Sequence, residues 1–172
     1  RLQQGAVTNQ KSSGRCWMFA SLNVLRFDGI RRLNVENFEF SQNYTLFFDK
    51  LEKSNLFLEN ILETLDEPTE GRLIQHLLSA PLGDGGQWDM IVNLIRKYGL
   101  VPKSAMPETK VSSATRDMNG VLTEKLRGFA CALREAHAAG ESEEALRAKK
   151  DGMLQTIYRA LCICLGEPPR TF

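Results

Sequence analysis

Gln10 and Cys16 stand six positions apart across Lys11-Ser12-Ser13-Gly14-Arg15, and the cysteine opens an apolar stretch, Trp17-Met18-Phe19-Ala20, that reads as the start of a helix. Thiols attack as thiolates, and the first turn of a helix favours that form through its unpaired N–H groups and the positive end of its dipole. When a thiolate adds to a peptide carbonyl, negative charge appears on the carbonyl oxygen and needs fixed donors. The backbone N–H of Cys16 and the side-chain amide of Gln10, brought round by a turn at Gly14, are the expected pair, with Lys11 and Arg15 adding positive potential to the same loop. The implied chemistry is acyl transfer through a thioester. Against it stands the plainer reading of Cys16 as an ordinary buried thiol at a helix start.

Such a nucleophile works beside an imidazole, and the chain holds two histidines, His76 and His137. His76 lies among Leu73, Leu77 and Leu78 on a short helix and reads as structural. His137 falls at the end of an amphipathic stretch, beside a helix terminus, and reads as a solvated cation. The chain therefore carries a nucleophile and lacks its base. The Gly-rich turn Leu82-Gly83-Asp84-Gly85-Gly86-Gln87 offers Gly85 and Gly86 either as a wall where backbone approaches a ligand or as a plain connection between helices. Trp17 and Trp88 read as core aromatics. Cys162 and Cys164 form a C-x-C pair with no further Cys or His cluster to complete a structural zinc site, so neither metal nor cofactor is expected.

Helices must position these groups. Residues 16 to about 30 are apolar on so many sides that the segment is expected to be a central, buried helix. Ser41 is placed to cap a helix whose Tyr44, Phe47, Phe48 and Leu51, then Leu58, Ile61, Leu62 and Leu65, recur at helical spacing up to Pro68. A short helix around Leu73 to Leu78 stops before Pro81, and Trp88 to Tyr98 closes on Gly99, with Val101-Pro102 extended after it. From Ser112 or Ser113 two long amphipathic helices follow, joined at Ala138-Ala139-Gly140-Glu141-Ser142 and expected to form an antiparallel hairpin ending at Gly166. No strand with clear alternation is legible.

Composition sets the bounds. The chain has 172 residues, 42% apolar and 25% charged, with 22 Lys and Arg against 21 Asp and Glu, so it can bury an ordinary core and carries no global field toward nucleic acid or an anionic membrane. No apolar run approaches the roughly 18 to 20 residues that span a bilayer. Four cysteines at uneven spacing imply reduced thiols and a cytoplasmic setting.

The text Asn9-Gln10-Lys11-Ser12-Ser13-Gly14-Arg15-Cys16-Trp17 resembles the bleomycin hydrolase and aminopeptidase C branch of the papain-like cysteine proteases. The likeness continues through Phe38-Glu39-Phe40-Ser41-Gln42, Asp84-Gly85-Gly86-Gln87-Trp88-Asp89-Met90, Lys97-Tyr98-Gly99-Leu100-Val101-Pro102-Lys103 and Cys162-Ile163-Cys164-Leu165-Gly166. The resemblance implies an α+β papain-like fold of which this segment is the mostly α part, a central active-site helix plus a helical hairpin insertion, with the sheet-rich half absent. It implies residues 1–111 as the N-terminal half of the catalytic domain and 112–172 as the insertion. It implies Cys16 as nucleophile, Gln10 as oxyanion-hole amide and Gly85 and Gly86 as the substrate wall. It further implies a cytoplasmic, homohexameric cysteine aminopeptidase acting on peptides.

Ser13 stands where secreted papain relatives usually carry a disulfide-forming cysteine. In papain-like enzymes the catalytic His and Asn lie about 130 to 150 residues beyond the cysteine, and no histidine of this chain falls there. They are expected downstream, so the chain is read as a fragment, inactive alone. The alternatives are a non-catalytic helical interaction module, whose mixed surface charge is usually only a solvated face, and a nucleic-acid-binding protein, which the charge balance does not support.

Overall fold

A computed structural model describes residues 5–171. Its helices are α1 (Cys16–Leu33), α2 (Gln42–Glu63), α3 (Arg72–Ser79), α4 (Trp88–Tyr98), α5 (Arg116–Ala138) and α6 (Glu143–Leu165). Among the described residues no strand forms. Extended pairing is confined to two isolated bridges, a parallel one between Ser12 and Ala114 and an antiparallel one between Phe40 and Pro102. No helix among the described residues is long and apolar enough to cross a membrane.

The chain divides into two compact units. Unit 1 comprises Arg1–Asp49, Asp84–Arg116 and Cys164–Phe172, and unit 2 comprises Lys50–Gly83 and Asp117–Ile163. In unit 1, Met18 and Leu22 of α1, one turn apart, are buried with Ile91 and Leu94 of α4, the helix that packs on α1. Burying side chains of this size contributes about 1.5–3 kcal/mol each. The entry to α2 is a proper N-cap: Ser41 Oγ accepts from the Tyr44 N–H at 3.0 Å and donates to the Met106 carbonyl. Tyr44 then reaches α4, donating its hydroxyl to the Tyr98 carbonyl at 2.8 Å, while Phe48 stacks on Tyr98 with centroids 3.9 Å apart. Gly99 ends α4 with φ 73° and returns its N–H to the Ile95 carbonyl at 2.8 Å, a conformation open to glycine at no steric cost.

One face of α1 departs from expectation. Cys16 and Ala20 are exposed, Val24 is 62% exposed and Phe27 38%. Spaced i, i+4, i+8 and i+11, they form one apolar stripe beneath the thiol. The helix is central on its other sides only.

In unit 2 the core is built from Leu58 and Ile61 of α2, Ile74 of α3, Leu122, Leu126 and Leu133 of α5, and Leu146, Ile157 and Leu161 of α6. Arginines of α5 satisfy carbonyls at connections: Arg127 Nε donates to Leu78 at 2.9 Å at the end of α3, and Arg134 Nη1 to Thr64 at 2.9 Å after α2. The turn between α5 and α6 uses Gly140 at φ 83°, and Ser142 Oγ accepts from the Ala145 N–H at 3.3 Å to start α6. α5 begins at Arg116, three to four residues beyond the expected Ser112 or Ser113, because Ser112 is engaged in a turn with Thr109.

Candidate functional site

Cys16 is the first residue of α1. Arg15, the residue before it, has φ −91° and ψ 19° and gives the helix no side-chain cap, an arrangement that suits an incoming oxyanion at the positive end of the helix dipole. The thiol is free, exposed and without a hydrogen-bond partner among the described residues. It is not the sealed core thiol of the plainer reading.

The loop leading to it is held from several sides. Asn9 Oδ1 accepts from the Lys11 N–H at 2.8 Å, and Lys11 takes a left-handed φ of 56°, which costs a β-carbon-bearing residue roughly 1–2 kcal/mol. The Ser12 N–H donates to the Ser113 carbonyl at 3.0 Å. Gly14 donates its N–H to Asp84 Oδ2 at 3.1 Å, and a Cβ on Gly14 would lie 2.7 Å from that of Asp84. Space, not a positive φ, requires the glycine. Asp84 Oδ2 also accepts from Thr115 Oγ1 at 2.6 Å, and its carbonyl accepts from Trp17 Nε1 at 2.8 Å. Asp84 thus ties the loop, the first turn of α1 and the Gly-rich segment to one another.

Arg15 differs from its expected role as a source of positive potential. It is fully buried, with Nη1 and Nη2 forked onto Glu108 Oε1 and Oε2 at 2.9 and 2.8 Å, and it lies over the Phe19 ring at 5.0 Å. Its charge is spent on a carboxylate 93 residues along the chain, a pairing that no local pattern announces. Lys11 is exposed and remains the loop's free basic side chain.

Gln10 is half-buried, six residues before the thiol. Its carbonyl accepts from Ser13 Oγ at 2.6 Å, and among the described residues its Oε1 is enclosed without a partner and its Nε2 finds no acceptor. An unengaged amide donor therefore stands on the same loop as the nucleophile. In the Gly-rich segment, a Cβ on Gly86 would sit 2.5 Å from ring atoms of Trp17, whereas one on Gly85 would meet nothing within 4 Å. Trp17 is half-buried and carries that glycine on its indole. Trp88, expected in the core, is 59% exposed at the start of α4.

Both histidines belong to unit 2, and unit 1, which holds Cys16 and Gln10, contains none. His137 Nε2 lies 2.9 Å from Asp66 Oδ1 near the end of α5, and His76 is exposed. Among the described residues no group of His, Cys, Asp and Glu could hold a metal ion. Asp84, Glu108 and Thr115 escaped sequence reasoning because their roles depend on partners tens of residues away. The one local signal was an arginine beside a cysteine in an otherwise apolar helix start.

The Peptidase C1-like family model matches residues 1–172. Bleomycin hydrolase of Oryctolagus cuniculus is 50% identical over 168 residues, 96% of this chain and 61% of that protein. Aminopeptidase C of Listeria monocytogenes serovar 1/2a is 52% identical over 166 residues, 96% of this chain and 37% of that protein. The crystal structure of PepW from Lactobacillus rhamnosis HN001 superposes with a TM-score of 0.95 at 51% identity, covering 99% of this chain and 38% of that one. The chain thus spans less than two thirds of the length of these relatives. Its helices form a partial papain-like fold, the helical part, and at this identity over its whole length the chain belongs to the Peptidase C1-like family.

Proposed function

We propose that this chain carries the nucleophile and oxyanion donors of a cysteine-type aminopeptidase. Cys16 attacks the scissile carbonyl as its thiolate, and the tetrahedral oxyanion is received by Gln10 Nε2 and the Cys16 N–H. The leaving amine takes a proton from an imidazolium, and water resolves the thioester to a free acid and thiol. The imidazole and its asparagine partner are supplied by the part of the relatives' length that this chain does not span. By itself the chain does not turn over peptides.

The observation that carries this reading is the exposed thiol at an uncapped helix start with an unengaged amide on the same loop. Gly85 supports it, being a glycine that no neighbour and no positive φ requires; beside a cleft it leaves room for substrate backbone, with Gly86 set against Trp17. The stripe Ala20, Val24 and Phe27 is the face on which the histidine-bearing half packs, and residues 112–172 are the branch's helical insertion. Peptide substrates, a cytoplasmic setting and a homohexamer follow from the resemblance to aminopeptidase C and bleomycin hydrolase.

The test uses the intact protein and an aminoacyl 4-nitroanilide. Cys16→Ala abolishes turnover, and Gln10→Ala lowers kcat by about 10²–10³ with little change in KM, the loss expected for one oxyanion donor. Peptide mapping after brief iodoacetamide treatment finds Cys16 modified ahead of Cys131 and Cys164. A hydrogen bond to Glu135 raises the thiol of Cys131 and burial raises that of Cys164, so both stay protonated to higher pH. Full activity in Cys16→Ala would refute the assignment.

A further inference from the structure

We propose that Arg15 is a positioning residue for the oxyanion donor Gln10, acting through Ser13; this rests on the reading of Cys16 and Gln10 given above. Three bonds in series make the connection. Glu108 accepts from both terminal nitrogens of Arg15, Arg15 Nε donates to Ser13 Oγ at 2.8 Å, and Ser13 Oγ donates to the Gln10 carbonyl at 2.6 Å. Glu108 is itself fixed by Ser112 Oγ, which donates to Oε2 at 2.7 Å. The series runs from the 108–112 turn to the residue that bears the amide.

The guanidinium suits this place because its plane offers Nε in one direction and the terminal pair in another. Lysine, a point charge on a flexible stem, cannot hold a carboxylate and a hydroxyl at fixed relative angles. The charge does not act on the thiol directly, since the buried Arg15 is neutralised bidentately by Glu108. Its effect is geometric. The loop contains a left-handed non-glycine residue, Lys11, and such a backbone persists only where its surroundings over-determine it. Fixing the Gln10 peptide fixes the Cα–Cβ direction along which the amide is carried, which preorganises Nε2 for the charge that develops in the transition state. Ser13 provides the joint with its hydroxyl, and the loop is held without a disulfide.

The experiment measures the intact protein and its Ser13→Ala, Ser13→Thr and Arg15→Lys variants on an aminoacyl 4-nitroanilide, each alone and with Gln10→Ala. Ser13→Ala lowers kcat about tenfold and Arg15→Lys about 10²-fold, with KM and the rate of Cys16 alkylation each within about twofold. Ser13→Thr, which keeps the hydroxyl, restores kcat. With Gln10 already removed, Ser13→Ala costs less than about twofold more, because the two act on one interaction. An unchanged kcat in Ser13→Ala, or losses that multiply with Gln10→Ala, overturns the proposal.

Hydrogen exchange at the backbone amides of residues 10–14 gives a readout independent of turnover. Exchange about tenfold faster in Ser13→Ala supports the brace, and unchanged exchange overturns it. If the parent protein hydrolyses nothing and matches Cys16→Ala, the functional reading falls, and the brace is decided by exchange alone.

Discussion

Gly86 lies so close to the Trp17 indole that a Cβ would come within 2.5 Å of ring atoms, while Gly85 beside it has open space. In the sequence the two are indistinguishable. Gly86→Ala forces the indole or the segment to shift and is expected to destabilise the protein by about 1–3 kcal/mol, the cost of overpacking. Gly85→Ala leaves the chemical-denaturation midpoint unchanged and instead raises KM for a peptide substrate in the intact protein. Equal losses of stability at both positions would contradict this division of roles. The same contrast separates Arg15 from Lys11: both bring a positive charge to the loop, yet Arg15 is buried on Glu108 and Lys11 is exposed. Local sequence specifies that a cation is present, and only its distant partner decides whether that cation acts by field or by shape.

Among the elements, helix existence and the chemistry of helix ends were legible: Ser41 caps α2, Gly99 closes α4, and α3 stops before Pro81. The start of α5 was misplaced because Ser112 and Thr109 bond each other's backbone and side chains, a competition that apolar periodicity does not register. Between helices of unit 2, Glu59 of α2 meets Lys150 and Arg147 of α6. The Lys150 hydrogen bond, aided by the charges of Lys150 and Arg147 and opposed by desolvation, lowers the Glu59 carboxyl below its usual value. A carboxyl depressed on folding adds stability above its unfolded pKa and loses it as pH falls through the folded value. Glu59→Gln therefore lowers the urea midpoint at pH 7, and the difference from the parent shrinks toward zero below about pH 4. A deficit of the same size at both pH values would assign the contribution to packing instead.

For the molecule as a whole, the apolar stripe on α1 sets the expectation. Val24 is 62% exposed, so Val24→Asp leaves the stability of this chain within about 0.5 kcal/mol, as for ordinary surface changes. In the intact protein the same substitution places a carboxylate where the histidine-bearing half is proposed to pack, and activity falls at least tenfold through loss of that packing. Wild-type activity in a soluble Val24→Asp protein would show that the stripe is not such an interface. The near-balance of charge, 22 basic against 21 acidic residues, is consistent with that proposal, since it supplies no long-range field to drive packing.

The sequence by itself determined the helices, their caps and the placing of a glutamine and a cysteine on one loop at a helix start, because each of these depends on residues within a turn or a loop of one another. Tertiary structure alone decided that Cys16 is open to solvent, that Trp88 is too, that Arg15 is buried on Glu108, and that Asp84 gathers the loop, α1 and Thr115. Those outcomes depend on pairs 31 to 93 residues apart, and no short-range pattern encodes which distant group will arrive to satisfy a buried charge or donor.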